Sequence, residues 1–320
     1  MRKLISKMKK ILVIGGAGYI GSVVVKRLCD QDYNVTVFDN LSTGRINLVD
    51  KRAKFHKLDV INLEQLRKYF KRFGQFDAVI HFAAAKDAGE SMVSPTPYTL
   101  NIVGISNVLI CMDENNCKKI VFSSSAAVYG TPKKKIIDEK SETNPINYYG
   151  FSKLEGERII DWYRKIKRFS AICFRYFNVA GDELGYTEKK ANNLFPAIKE
   201  VLEGRRKELQ IYGNAYKTKD GTCIRDYIHV SDLADAHVLA LDSNYNGIIN
   251  LGTGRGYTVL EVLSMFEKIS GKNIAKKIVP RREGDPVALI CSNALAKKIL
   301  GWKPKHDLKK MVEDTIKVTK

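Results

Sequence analysis

The chain has 320 residues, 44% hydrophobic and 28% charged, so it holds enough apolar material for a sizeable core and is neither disordered nor of low complexity. Its 54 Lys and Arg outnumber 35 Asp and Glu to give a net charge of +19, but the lysines fall in short clusters such as 133–135 interleaved with acidic residues, and no nucleic-acid motif accompanies them. A solvated basic surface is the simpler reading, and its potential would favour capture of a multiply anionic small molecule over binding of nucleic acid.

Residues 1–10 are basic and 11–25 uncharged, as in a secretory leader, but Gly15, Gly16, Gly18 and Gly21 interrupt the run and no small-residue cleavage site closes it. No other stretch approaches the roughly 18 apolar residues of a membrane span. The six cysteines lie singly among apolar neighbours, without paired or metal-type spacing, as reduced core thiols do. A cytoplasmic protein with no membrane partner is therefore expected.

From residue 10 onward, short β-branched runs alternate with helical periodicity. Strands are expected at 10–14, 34–38, 53–56, 78–82, 119–122 and 171–175, with helices at 19–29, 63–72, 97–115 and 148–167. Alternation of this kind makes βαβ units, hence an α/β fold with a parallel sheet covered on both faces. After residue 178 the rhythm loosens, and helices at 194–203, 230–241, 259–269 and 308–318 separated by Gly-containing turns imply a smaller α+β unit. The expected division is 1–178 and 179–320, with segments of the second half free to return to the first.

Between the first strand and helix stands Gly15-Gly16-Ala17-Gly18-Tyr19-Ile20-Gly21. Glycines there let the chain turn tightly, let backbone amides approach a pyrophosphate, and let the helix pack closely on the sheet, with the pyrophosphate at the positive helix end. Asp39 ends the next strand 18 residues beyond Gly21, where a carboxylate binds the adenosine ribose and repels a 2′-phosphate, favouring NAD over NADP. This context makes the first unit a Rossmann-type, doubly wound domain. Arg45 lies close enough to soften the preference. Asp59-Val60 follows the third strand, within reach of an adenine amino group, and His81 reads as a packed strand-end residue. With no HExxH and no Cys/His cluster, no metal is expected.

Ser123-Ser124-Ser125 follows the fifth strand, and Tyr149 and Lys153 share one face of the long helix after it. A lysine ammonium beside a phenol favours the phenolate, so the tyrosine can take a proton from an alcohol whose carbon gives hydride to NAD, while a serine hydroxyl holds the same oxygen. The serine run lacks the GxSxG elbow of a hydrolase.

The glycine loop extends to GGAGYIGS, and the chain also carries VFDNLSTG, HFAAAKDAGES, FSSSAAVYG, YYGFSK, RYFNVAG, DGTCIRDYIHVSDLADAH and RREGDP followed by ILGW. By these motifs the sequence from residue 9 onward resembles the extended short-chain dehydrogenase/reductase family, in its branch of nucleotide-sugar epimerases. The resemblance implies NAD-dependent 4-epimerisation of a UDP-hexose, such as UDP-glucose or UDP-galactose, through a transient 4-keto sugar. A UDP-pentose or UDP-uronate is the alternative substrate, and a non-catalytic NAD-binding scaffold the alternative of another class. It makes Tyr149 the base, Lys153 the partner that lowers its pKa, and Ser125 the hydroxyl on the sugar oxygen. Gly15, Gly18, Tyr19, Ile20, Gly21, Asp39, Asn40, Asp59, Val60, Lys86 and Asn101, with Tyr149 and Lys153, match cofactor positions. Asn178, Asn193, Tyr212, Arg225, Arg282, Asp285 and Leu289, with Ser125 and Tyr149, match substrate positions. The two arginines suit a diphosphate and Asp285 the uridine ribose. Leu289 stands where the family's tyrosine excludes a 2-N-acetyl group, so room for UDP-N-acetylhexoses is expected. Ala126 and Ala127 replace the acidic residues of related dehydratases. A homodimer through the helices at 97–115 and 148–167 is also implied, and residues 1–7 are an extension without an assigned role.

Overall fold

The computed structural model describes residues 9–186, 193–282 and 284–317; the extension at 1–7 and the last residue of the helix expected at 308–318 lie outside them. Strand β1 (Lys10–Ile14) leads through α1 (Tyr19–Asp30) to β2 (Asn34–Asp39), which pairs with it in parallel. β3 (Lys54–Lys57) extends the sheet beyond β2, and α2 (Leu63–Phe73) crosses back to β4 (Ala78–His81) on the other side of β1. α2 shows why such segments start and stop where they do. The Asn62 side chain accepts the Gln65 N–H (2.9 Å) at its N-cap, Lys71 and Arg72 occupy its last turn, and Gly74 closes it at φ +76°.

After α3 (Thr96–Glu114), β5 (Lys119–Ser125) pairs with β4. Then come β6 (Ile136–Ile137), α4 (Tyr148–Lys167), β7 (Ser170–Tyr176) and β8 (Asn178–Ala180). The second half contains α5 (Leu194–Leu202), β9 (Leu209–Tyr212), β10 (Ile224–His229), α6 (Val230–Asp242) and β11 (Gly247–Leu251). It ends with β12 (Gly256–Thr258), α7 (Val259–Ser270), β13 (Lys276–Val279), β14 (Ala288–Cys291), α8 (Ala294–Leu300) and α9 (Leu308–Lys317).

The large sheet is parallel throughout, in the order β3-β2-β1-β4-β5-β7-β11. Its middle strands are apolar on both faces because both are covered. Ile11 and Val13 of β1 pack with α1 and α6, while Leu12 and Ile14 pack with α2 and α3. Strand order reverses at β1, so the loops after β1 and β4 lie side by side at the sheet's C-terminal edge, where doubly wound folds bind ligands.

The smaller lobe holds a sheet in the order β12-β10-β14-β6, with β8 also on β10, and a pair of strands, β13-β9. α5, α7 and α9 enclose its core. The chain does not divide cleanly at 178: β11 of the second half completes the large sheet, and β6 of the first half joins the small one. Observed ends of the expected elements mostly fall within a residue or two of those read from sequence. The larger difference is β5, which continues to Ser125, so the serines belong to the strand and not to a loop after it. β6, β8 to β14 and α8 are not among the elements read from sequence; most are short or half-buried and carry too little periodicity.

Candidate functional site

At the end of β1 the chain turns through Gly15 at φ +78°, and the Gly15 N–H donates to the Phe38 carbonyl (2.8 Å). A Cβ on Gly15 would lie 2.6 Å from the Ala83 nitrogen, and one on Gly21 would lie 2.2 Å from the Gly15 carbonyl oxygen. Only hydrogen fits at either point. Gly18 caps α1 in extended conformation with no side-chain capping bond, so the helix presents backbone donors and the positive end of its dipole to the crevice. This cradle fits the pyrophosphate of NAD.

Asp39 is buried at the end of β2 and accepts the Ala17 N–H (2.9 Å) and the Leu41 N–H (2.8 Å). Burial raises its pKa, and the two backbone bonds oppose that. The carboxylate thus braces the glycine loop against the loop after β2, a duty the sequence did not reveal. The Asn40 side chain donates to Asp59 (3.0 Å), and the Val60 carbonyl accepts from Asn107 (2.9 Å). Asn101 accepts the Ala85 N–H (2.8 Å) and donates to the Ala85 carbonyl (3.0 Å) and to Ser152 Oγ (3.2 Å), fixing the chain after β4 against α4. Arg45 lies over the Tyr186 ring (5.8 Å).

Tyr149 opens α4 behind Asn147, whose side chain accepts the Gly150 N–H (2.8 Å). Burial raises the Tyr149 phenol, and a hydrogen bond with Ser125 opposes this. Ser125 Oγ also accepts the Ala127 N–H (3.1 Å). One turn on, Lys153 is buried, with Nζ donating to the Ser123 carbonyl (2.7 Å) and Ser123 Oγ (3.3 Å) and lying 5.1 Å from the centre of the Phe122 ring. Burial pushes it down to about 7, and Glu157 acts in the opposite sense. Lys153 is thus held on Ser123, one turn from the phenol, and Ser125 is the neighbour whose hydrogen bond favours the ionised phenol. His81 stacks on Phe122 (5.9 Å), fully buried and pushed down to about 3, so it is a neutral packing residue.

A cavity of about 700 Å³ opens beside these groups. Its wall includes Tyr19, Ile20, Lys86, Ser125 and Tyr149 from the large lobe, with Asn178, Asn193, Tyr212, Arg225, Arg282, Asp285 and Leu289 beyond them. Gly15, Gly18, Gly21, Asp39, Asn40, Asp59, Val60, Asn101 and Lys153 lie outside that wall. Asn193 is the N-cap of α5 but makes no side-chain capping bond. Arg225 pairs with Asp285 and donates to the Pro286 carbonyl (2.9 Å), while the Arg282 guanidinium lies 3.7 Å from the centre of the Tyr212 ring. Leu289 packs against the small core around Ala126 and Val128. An aromatic face, two guanidiniums and a carboxylate in one wall are the chemistry that holds a nucleoside diphosphate.

Several wall residues escaped the sequence reading. Tyr176 and Phe177 precede Asn178 in RYFNVAG, and the Tyr176 hydroxyl is bonded to His237 Nε2 (2.6 Å). Lys199 and Asp182 are both buried, 3.9 Å apart. Lys199 follows Phe195 by one helical turn, so its place on the buried face of α5 was legible from spacing alone.

The description "NAD dependent epimerase/dehydratase family" belongs to the family model that matches residues 11–252. The UDP-glucose 4-epimerase of Lacticaseibacillus casei is 43% identical over 313 residues, covering 95% of this chain and 94% of that one. Among solved structures, the UDP-glucose 4-epimerase of Brucella ovis in complex with NAD superposes with a TM-score of 0.93 at 37% identity, covering 97% of this chain and 98% of that one. The enzyme of the same description from Bifidobacterium longum, in complex with NAD+ and UDP, gives 0.91 at 38% identity, with coverage of 97% and 98%.

Proposed function

The chain belongs to the NAD dependent epimerase/dehydratase family, and from that premise we propose that it interconverts UDP-glucose and UDP-galactose by inverting the C4 hydroxyl through a 4-keto sugar. The observation that carries this reading is the meeting of Tyr149 and Ser125 in one cavity with Tyr212, Arg225, Arg282 and Asp285. The cradle of Gly15, Gly18 and Gly21, with Asp39 beside it, would hold NAD, and the chemistry that NAD would supply there is reversible hydride exchange with C4 on either face of the sugar.

Tyr149 removes the proton of the 4-hydroxyl and returns it to the inverted one. Ser125 Oγ holds that oxygen and, through its bond to the phenol, favours the ionised base. Lys153 places a cation one helical turn from the phenol. Inversion requires the keto sugar to turn over while its UDP stays fixed, and the aromatic ring and guanidiniums of the small lobe supply that anchor. Ala126 and Ala127 offer no acid or base beside Ser125, which supports epimerisation without loss of water.

We also read the protein as a cytoplasmic homodimer. All six cysteines are free and buried, as in a reducing compartment, and among the described residues no helix is long and apolar enough to cross a membrane. α4 leaves Trp162 61% and Ile166 67% exposed, one turn apart. The test of the activity is a panel of UDP-sugars incubated with purified protein and resolved by chromatography. Equilibration of UDP-glucose with UDP-galactose is expected; conversion confined to a pentose or uronate pair would overturn the assignment.

A further inference from the structure

Ser123, Ser124 and Ser125 end β5, and each engages a different residue of α4. Ser123 receives the Lys153 ammonium, Ser124 donates its hydroxyl to Glu157, and Ser125 stands beside Tyr149, whose ionised phenol it favours. The proposed chemistry accounts for the first and third contacts but not for the second. Glu157 is 6% exposed, one turn beyond Lys153, and Arg175 takes both its oxygens through Nε (2.9 Å) and Nη2 (2.6 Å). Arg175 stands on β7 opposite Ser124 in the parallel register. Its guanidinium lies over the Tyr129 ring (4.7 Å), whose hydroxyl donates to Asn250 of β11 (2.7 Å). A buried ion pair is a weak source of stability, because desolvation offsets its attraction. Three buried charges on two neighbouring elements call for another reason.

We propose that Glu157, clamped by Arg175 and Ser124, is a positioning residue: it fixes the register of α4 on β5, and its carboxylate, buried one turn from Lys153, is the counter-charge that favours the ammonium near Tyr149. Titratable and charged groups around this point are Tyr149 and Glu157 on α4, His81 on β4, Tyr98 on α3, Tyr129 in the turn after β5, and Cys173, Arg175 and Tyr176 on β7. Burial keeps His81 neutral and raises the Cys173 thiol and the Tyr149 phenol, so Glu157 is the anion of the set, and Arg175 is turned onto it. Loss of that anion moves Lys153 further in the direction burial already pushes it, and an unpaired Arg175 adds to the same effect. The ammonium then gives up its proton at lower pH.

The kinetic part of the test rests on the epimerase reading; the spectroscopic part does not. In Glu157→Gln, kcat at neutral pH falls roughly tenfold or more, KM for UDP-glucose changes by less than about twofold, and the alkaline limb of the kcat profile moves down by about one pH unit. Glu157→Asp, which keeps the charge, returns the limb towards the parent. Lysine labelled at 13Cε, with the Lys153 signal identified by its loss in Lys153→Met, follows the same ionisation by NMR without turnover. Its midpoint falls in Glu157→Gln. If that variant fails to fold around an unpaired arginine, Glu157→Gln with Arg175→Met removes both charges in a neutral pair of similar volume, and the midpoint still falls. An unmoved midpoint and limb, with kcat lowered equally at every pH, would leave Glu157 a structural residue and overturn the proposal. An inactive parent would overturn the epimerase reading instead, and the NMR titration would still decide this one.

Discussion

At Tyr149 the balance between burial and one hydroxyl decides whether a phenol can act as a base, since burial disfavours the phenolate and Ser125 supports it. Tyr149→Phe is expected to keep its fold and its NAD while kcat falls by about 10²–10⁴, the range for loss of a general acid–base group. Circular dichroism and a chromatographic assay check this, and undiminished turnover would remove the phenol from the mechanism. Leu289 makes a prediction about breadth. It lines the cavity and leans on the small core around Ala126, and leucine lacks the ring that a tyrosine would place there. UDP-N-acetylglucosamine and UDP-N-acetylgalactosamine should therefore also be interconverted, and Leu289→Tyr should lose that pair while keeping the plain hexoses. Equal losses on both pairs, or a parent inactive on the N-acetylated sugars, would exclude a gate. That Tyr149 and Ser125 would line one cavity, with Lys153 one turn along the same helix, was legible from their spacing. The bracing duties of Asp39 and Asn101 were not, because both depend on loops brought together only by the sheet.

The α1 element shows how far spacing reaches. Strand, glycine turn and helix were all readable, since each glycine answers a steric demand: a Cβ at Gly21 would stand 2.2 Å from a backbone oxygen that cannot move without shifting β1. Gly21→Ala should therefore push α1 away from the loop and empty the cofactor site. The parent, whose reaction cycle never requires NAD to leave, should yield NAD in the supernatant after denaturation, partly reduced, and the variant little or none. NADP in that supernatant would contradict the role given to Asp39, and full occupancy in Gly21→Ala would contradict the steric argument. β5 was less readable. Its serines carry no strand propensity, yet the ladder to β7 runs through all three, with Ser123 opposite Phe174 and Ser125 opposite Tyr176. Pairing to β7 overrides local preference there, although the ladder to β4 ends at Phe122.

At the scale of the whole molecule, the exposed Trp162 and Ile166 of α4 predict association through that face. Sedimentation should give a dimer for the parent and a monomer for Trp162→Glu, whereas a monomeric parent would remove the interface. The parallel sheet was foreseeable from alternation along the first half. That a segment of the second half could return to it was also foreseeable, but not that β11 would be the one, because a five-residue apolar strand has no signature of its partner. This exchange of strands also bears on how the protein is made. During synthesis β7 offers a bare, apolar edge until β11 has left the ribosome, and β6 waits longer still for β14. A chain cut at residue 178 should consequently be recovered in inclusion bodies instead of as an independent nucleotide-binding domain, and the nascent protein is most exposed to aggregation in the interval between translation of β7 and of β11.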